Sequence, residues 1–193
     1  MRVVAGIAKG RLLSAPQGQV TRPTPVKVRQ AVFNSLESLD GVAGAAIADL
    51  FAGTGALAIE GLSRGAASAV LCETDRAART CIEKNLAQTA FSTIAKVSPL
   101  SAQAWLATAL PGSVDLVIAD PPYRFADWSE LLELVAPVLT ADGLLVAESD
   151  RELDITNQWE VVRCKHYGTT VVTILGVTAS QDLHPDFAKG DQP

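Results

Sequence analysis

The sequence predicts an α/β fold: a mostly parallel sheet with helices on both faces, a terminal antiparallel strand pair, and a small N-terminal hairpin-and-helix extension. Three observations predict it. From residue 45 onward, short apolar runs alternate with segments of helical spacing, which is the pattern of crossovers that leave successive strands parallel. Two later runs, Trp159–Lys165 and Thr170–Val177, are separated only by a break near Gly168 and are too close for a crossover, so they pair antiparallel. The first 25 residues hold short extended pieces punctuated by Pro16, Gly18, Pro23 and Pro25.

Taken in order, Arg2–Ile7 and Gly10–Leu13 read as a hairpin with Lys9-Gly10 near its turn. Thr24-Pro25 starts a helix, with Thr as cap and Pro in the first turn. Val28, Val32, Phe33 and Leu36 form its apolar stripe, with Lys27 and Arg29 on its polar side. Ala46–Phe51 is a buried strand, and Thr54–Arg64 is a helix closed by Gly65. Ala69–Glu73 is the second strand, and Asp75 caps a helix running to about Leu86. Ile94–Val97 is a weaker third strand, followed by a helix around Ala102–Leu110. Val114–Ala119 is the clearest strand. A helix over Trp128–Leu139 follows, with Pro137 placed to shorten or kink it, and Gly143–Glu148 is the fifth strand. Three parts result: a basic extension over 1–40, an α/β domain over 41–180, and a polar tail over 181–193.

A chain of 193 residues, 48% hydrophobic and 19% charged, suits one domain with a real core. It holds no uninterrupted apolar stretch long enough to cross a membrane, and Met1-Arg2-Val3-Val4 does not open a signal peptide. A cytoplasmic protein, monomeric by default, is expected. Cys72, Cys81 and Cys164 form no C-x-x-C pair, so buried free thiols are expected. His166 and His184 lie far from any ligand cluster, so no metal site is expected. The net charge of −5 hides an asymmetry. Residues 1–36 carry Arg2, Lys9, Arg11, Arg22, Lys27 and Arg29 and no acid, a local charge of +6 against −11 for the rest. Phosphate binding depends on a local patch, so an RNA partner fits this chain despite its acidic total.

Two motifs carry chemistry. In Asp49-Leu50-Phe51-Ala52-Gly53-Thr54-Gly55-Ala56-Leu57, a strand turns into a helix, and Gly53 and Gly55 let backbone approach a ligand. Glu73 ends the next strand twenty residues after Gly53, where a carboxylate accepts hydrogen bonds from ribose hydroxyls. The pairing fits NAD and S-adenosylmethionine alike. Asp49 tips it toward S-adenosylmethionine, whose ammonium and sulfonium suit an acidic turn that would repel a pyrophosphate. The second motif, Asp120-Pro121-Pro122-Tyr123, follows the clearest strand. Its prolines fix the backbone and donate nothing, leaving the Asp120 carboxylate and the Pro121 carbonyl to hold the two hydrogens of an amine. Tyr123 offers a face for a stacked base.

These motifs resemble the amino-methyltransferase branch of the class I methyltransferases. With Arg2-Val3-Val4-Ala5-Gly6, Gly10-Arg11-Leu12-Leu13, Arg22-Pro23-Thr24, Val28-Arg29 and Phe33-Asn34, the chain from about Arg2 to Val177 resembles the RsmD family. The resemblance implies a Rossmann-like methyltransferase domain with a seven-stranded sheet. It also implies transfer of a methyl group to guanine N2 of small-subunit ribosomal RNA, and the modest size of the basic patch points to an assembling subunit as the setting. Cofactor contacts are then expected from Asp49, Phe51, Ala52, Gly53, Thr54, Gly55, Leu57 and Glu73. Ser101 stands where the family has Asp or Asn at the adenine amine, with Thr74 and Ala102 beside it. Arg2, Lys9, Arg11, Arg22 and Arg29 are expected at RNA phosphates, with Thr24 and Arg29 also placed to close over the cofactor's carboxylate. Asp120-Pro121-Pro122-Tyr123 would hold the target base. From the residues alone, adenine-N6 DNA methylation and glutamine-N5 protein methylation share the Pro-Pro-aromatic logic and stay open. An NAD-dependent dehydrogenase and a non-enzymatic RNA-binding module fit less of the sequence.

Overall fold

A computed structural model of the chain describes residues 1–16 and 26–178. It contains α1 (Val26–Glu37), β1 (Ala46–Asp49), α2 (Ala56–Ser63), β2 (Ser68–Cys72), α3 (Arg76–Thr89), β3 (Ala95–Ser98), α4 (Ala102–Leu106), β4 (Val114–Ala119), α5 (Trp128–Val135), β5 (Leu139–Ser149), β6 (Trp159–Tyr167) and β7 (Thr170–Val177). The seven strands form one sheet in the order β3-β2-β1-β4-β5-β7-β6. β1 to β5 pair in parallel, and β7 runs antiparallel between β5 and β6. This is the sheet the alternation predicts.

β4 and β7 have the predicted ends, and Asp75 caps α3 by accepting from Ala78 N at 2.7 Å. Other boundaries move. α4 stops at Leu106, short of the expected end near 110, since Leu110 is 73% exposed and has nothing to pack against. Pro137 ends α5 early, in a 3-10 turn over Ala136–Val138. β5 begins at Leu139, where the Thr140 hydroxyl donates to the Asp115 carboxylate at 3.1 Å and extends the pairing with β4.

The sheet buries both faces, so its middle strands are mostly apolar on both sides. On one face Phe33, Leu36, Ile59, Leu62 and Ile82 pack with Leu116 and Ile118 of β4. On the other, Leu106, Trp128, Leu131, Val135 and Trp159 pack with Val117 and Ala119.

The N-terminal hairpin is minimal. Arg2 and Leu12 form one antiparallel bridge, flanked by Val3 N to Arg11 O at 3.0 Å and Gly10 N to Val3 O at 2.9 Å. So short a ribbon has little stability of its own, and α2 and α3 hold it. Glu60, fully buried on α2, accepts from Val4 N at 2.8 Å and Ala5 N at 3.0 Å. Asn85 on α3 accepts from Ser14 N at 2.7 Å and donates to Ser14 O and Thr54 O. Val3, Ala8 and Leu13 share the α1–α3 core.

Arg29 corrects one expectation. It is 1% exposed, not on the polar side of α1, and its Nε lies 3.6 Å from Glu60. Its Nη2 donates to the Arg2 carbonyl. Burial lowers its pKa, and the Glu60 charge opposes that shift. Arg64 completes the cluster, with Nε 2.9 Å from Glu60 and Nη1 3.0 Å from Glu37. A guanidinium at this depth is not available to an RNA phosphate. A second correction concerns the thiols: Cys72 and Cys81 are buried as expected, but Cys164 on β6 is exposed.

Candidate active site

The strand order reverses between β1 and β4: the chain moves outward through β2 and β3, then returns to the other side of β1. Ligands of open α/β sheets bind in the crevice beyond the carboxyl ends of such strands. A cavity of about 790 Å³ opens there. It brings together Phe51, Ala52, Gly53, Thr54 and Leu57 from the glycine turn, Glu73 and Thr74 after β2, Ser101 and Ala102 at α4, and Asp120, Pro121, Pro122 and Tyr123 after β4.

The wall on the β1–β3 side is tied together by its own hydrogen bonds. Glu73 accepts from Gly53 N at 2.9 Å and from Asp75 N at 2.8 Å. Each carboxylate oxygen keeps a second lone pair for a ligand hydroxyl. Gly53 turns its open side outward, with no atom within 4 Å of where a side chain would begin. Gly55 is different and does not line the cavity. Its φ is +75°, and a Cβ there would come within 3.0 Å of Leu71 and 3.3 Å of Ile82, so its role is helix–sheet packing. Ser101 lines the cavity and also caps α4, its hydroxyl accepting from Ala104 N at 3.2 Å.

Asp49 is placed differently from the expectation. It is 1% exposed, lies behind the cavity lining, and accepts from Ala58 N at 3.3 Å. Burial pushes its pKa up to about 7; the Ala58 hydrogen bond opposes this, and the charges of Asp120 and Glu73 add to it. Asp49 therefore supports the first turn of α2 and does not present a full charge to a ligand. Burial, with Asp49 beside it, pushes the Cys72 thiol up to about 12, so this cavity-lining sulfur stays protonated.

The preference for a cationic ligand survives on other residues. Among the described residues, the lining holds five carboxylates, Glu73, Asp75, Asp120, Glu148 and Asp150, against two guanidinium groups, Arg29 and Arg124. Such a surround favours a sulfonium and disfavours a pyrophosphate. With the open cradle at Gly53 and the lone pairs of Glu73, these residues fit S-adenosylmethionine.

The wall beyond β4 is more open. Tyr123 is 71% exposed, and the Arg124 guanidinium lies 5.8 Å from its ring centroid. Arg124 has φ +66°, an uncommon backbone state for a residue with a side chain. Two edge contacts brace the loop from below: Phe51 to Phe125 at 5.6 Å and Phe125 to Trp128 at 5.5 Å between ring centroids. Arg151 Nη2 also donates to the Phe125 carbonyl at 3.1 Å.

Arg2, Lys9 and Arg11 lie exposed on the N-terminal arm, away from the cavity lining, whereas Arg29 reaches that lining from beneath. Arg22 and Thr24 lie outside the described residues. Sequence reasoning missed Phe125, Trp128, Glu148, Ser149, Asp150, Thr169 and Thr170 as lining residues. Their signal was positional: each sits near a strand end on the side where Asp120 sits. Among the described residues, no group of three His, Cys, Asp or Glu side chains could hold a metal, and no helix is long and apolar enough to cross a membrane.

The family model described as Conserved hypothetical protein 95 matches residues 1–176. Ribosomal RNA small subunit methyltransferase D of Escherichia coli is 37% identical over 155 residues, covering 79% of this chain and 76% of that protein. The chain belongs to the RsmD family of methyltransferases. YlbH of Bacillus subtilis is 36% identical over 182 residues, covering 90% of this chain and 97% of that relative. The solved structure of yhhF from Escherichia coli is similar with a TM-score of 0.81 and 35% identity, covering 93% of this chain and 98% of that one. The RsmD resemblance seen in the N-terminal motifs thus extends across nearly the whole chain.

Proposed function

We propose that this chain transfers a methyl group from S-adenosylmethionine to the exocyclic N2 amine of a guanine in small-subunit ribosomal RNA. One observation carries the reading: Asp120-Pro121-Pro122-Tyr123 shares a single cavity with the glycine turn and Glu73. The Escherichia coli relative's name supports the choice of small-subunit RNA.

Gly53 and Glu73 would hold the adenosine end of the methyl donor, and Ser101 and Ala102 would border its base. Arg29 would approach from beneath, where it lines the cavity. Bound S-adenosylmethionine supplies an electrophilic methyl carbon on a sulfonium. The protein's task is to present the amine. The lone pair of a guanine N2 is delocalised into the ring, so the nitrogen is a weak nucleophile. The Asp120 carboxylate and the Pro121 carbonyl would accept from its two hydrogens and favour a pyramidal nitrogen with its lone pair directed at the donor. Positioning of this kind supplies much of a rate enhancement. Asp120 would also stabilise the positive charge that develops on nitrogen and hold the proton the nitrogen then gives up. The base must leave its stack to enter, and Tyr123 would receive it. Arg2, Lys9 and Arg11 would bind phosphates and fix register without reading sequence. An assembling subunit, in which proteins add to this modest basic patch, is the substrate we favour.

The test is to incubate the protein with labelled methyl donor and small ribosomal subunits, naked ribosomal RNA, DNA or release factor. Label recovered as N2-methylguanosine from the RNA is the expected result. Label in DNA or in release factor alone would overturn it.

A further inference from the structure

The crevice has a third side, built by the end of β5 and the β6–β7 turn, that the motifs do not explain. We propose that Glu148 accepts the N1–H of the target base and thereby selects guanine over adenine; this rests on the amine-methylation reading of Asp120.

The register supports the placement. β4 and β5 pair Ile118 with Val146 and Ala119 with Ala147, and Asp120 and Glu148 are the residues that follow this last matched pair. Residues at matched positions of adjacent strands share a face, with about 5 Å between the strands. Both side chains line the cavity. When both are ionised, two neighbouring carboxylates form a wall that only accepts hydrogen bonds. Guanine offers that wall two neighbouring donors, the N2 amine and N1–H. Adenine offers an N6 amine beside a bare N1 lone pair, which a second carboxylate repels. If Asp120 holds the amine, its neighbour reads N1. Asp150 also lines the cavity and accepts from Arg151 Nη1 at 2.8 Å. The Thr169 and Thr170 hydroxyls border the same space and can donate to the guanine O6.

A purine that keeps the N2 amine but lacks N1–H separates this from a structural role. Small-subunit RNA carrying either guanine or 2-aminopurine at the methylated position, assembled into subunits, is offered to the unaltered protein and to Glu148→Gln. The unaltered protein should methylate guanine at least about 100-fold faster than 2-aminopurine, since a site built for an N–H rejects the analogue lacking it. Glu148→Gln can donate to a bare N1. It should lose rate on guanine, gain on 2-aminopurine, and shift the ratio by a further factor of about 10 or more. Equal rates on the two bases by the unaltered protein overturn the proposal with no variant needed. A Glu148→Gln protein that binds S-adenosylhomocysteine normally and keeps the original ratio also overturns it. Methylation of another acceptor with none on guanine RNA defeats the function proposed above, and the role of Glu148 with it.

Discussion

The two walls of the crevice are built by opposite means. On the β1–β3 side, Glu73 is clasped by two backbone N–H groups, Ser101 caps its helix, and Gly55 is locked against Leu71 and Ile82. Beyond β4, Tyr123 stands in solvent and Arg124 occupies an uncommon backbone state. The difference matches two kinds of ligand. A small donor that is the same at every turnover is met by a wall completed before it arrives. A base that must swing out of an RNA is met by a wall whose contact surface is left exposed, with Phe125 and Trp128 bracing it from beneath.

Substitutions at four residues test this contrast. Asp120→Ala should give the largest effect, a loss of about 10³-fold in single-turnover methyl transfer, with donor binding by calorimetry unchanged. Retained turnover would remove the catalytic meaning of the open wall. Asp49→Asn addresses the support behind the closed wall. The folded-state pKa of Asp49 is raised to about 7 from 3.8. The folded state therefore binds more protons than the unfolded state between those values, and stability from this group declines as pH rises from about 4 to 7. Urea unfolding across that range should show roughly 3–4 kcal/mol less decline in Asp49→Asn than in the parent. Glu73→Ala should raise the KM for S-adenosylmethionine about 10–100-fold with kcat at saturation little changed. A fall in kcat alone would show that the clasp serves chemistry and not binding. Tyr123→Ala should raise the KM for RNA about 10-fold, the value of one stacked base. Tyr123→Phe, tested in the same titration, should restore it.

Much of this architecture was legible in sequence because apolar periodicity and turn residues act locally. β4 carries an apolar run interrupted only by Asp115, β7 carries a run of apolar and β-branched residues interrupted only by Gly176, and the structure places the strand ends where these runs end. Asp75 caps α3 through a bond to a residue three positions away. The cavity motifs were readable for the same reason, since the glycine turn follows β1 within a few residues and Asp120 follows β4 directly. What sequence hid was long-range pairing. Arg29 and Glu60 are 31 residues apart, and neither one's neighbourhood says that they meet without solvent. Helical spacing assigned Arg29 to a polar face because charge usually goes there, and burial was possible only because Glu60 waited on another helix. Asp49 was misread through proximity: adjacency to the turn in sequence implied access to the ligand, but the side chain points to Ala58. Glu148 and Thr170 escaped because a residue at a strand end has no local mark of the site it joins.

The anchoring of the first sixteen residues has a practical consequence for engineering. An RNA-binding arm invites exchange, as if it were a cartridge that could be swapped to retarget the enzyme. Here the arm is a structural part of the body. Removing it would uncover the core at Val3, Ala8 and Leu13 and strip Glu60 of two of its N–H donors. Each hydrogen bond to the Glu60 carboxylate is worth about 1.5–3 kcal/mol, a large share of a domain's whole stability. Changing the charge that the arm presents is therefore a matter of exchanging the exposed Arg2, Lys9 and Arg11 on a retained backbone, and grafts that replace that backbone give up part of the stability of the domain.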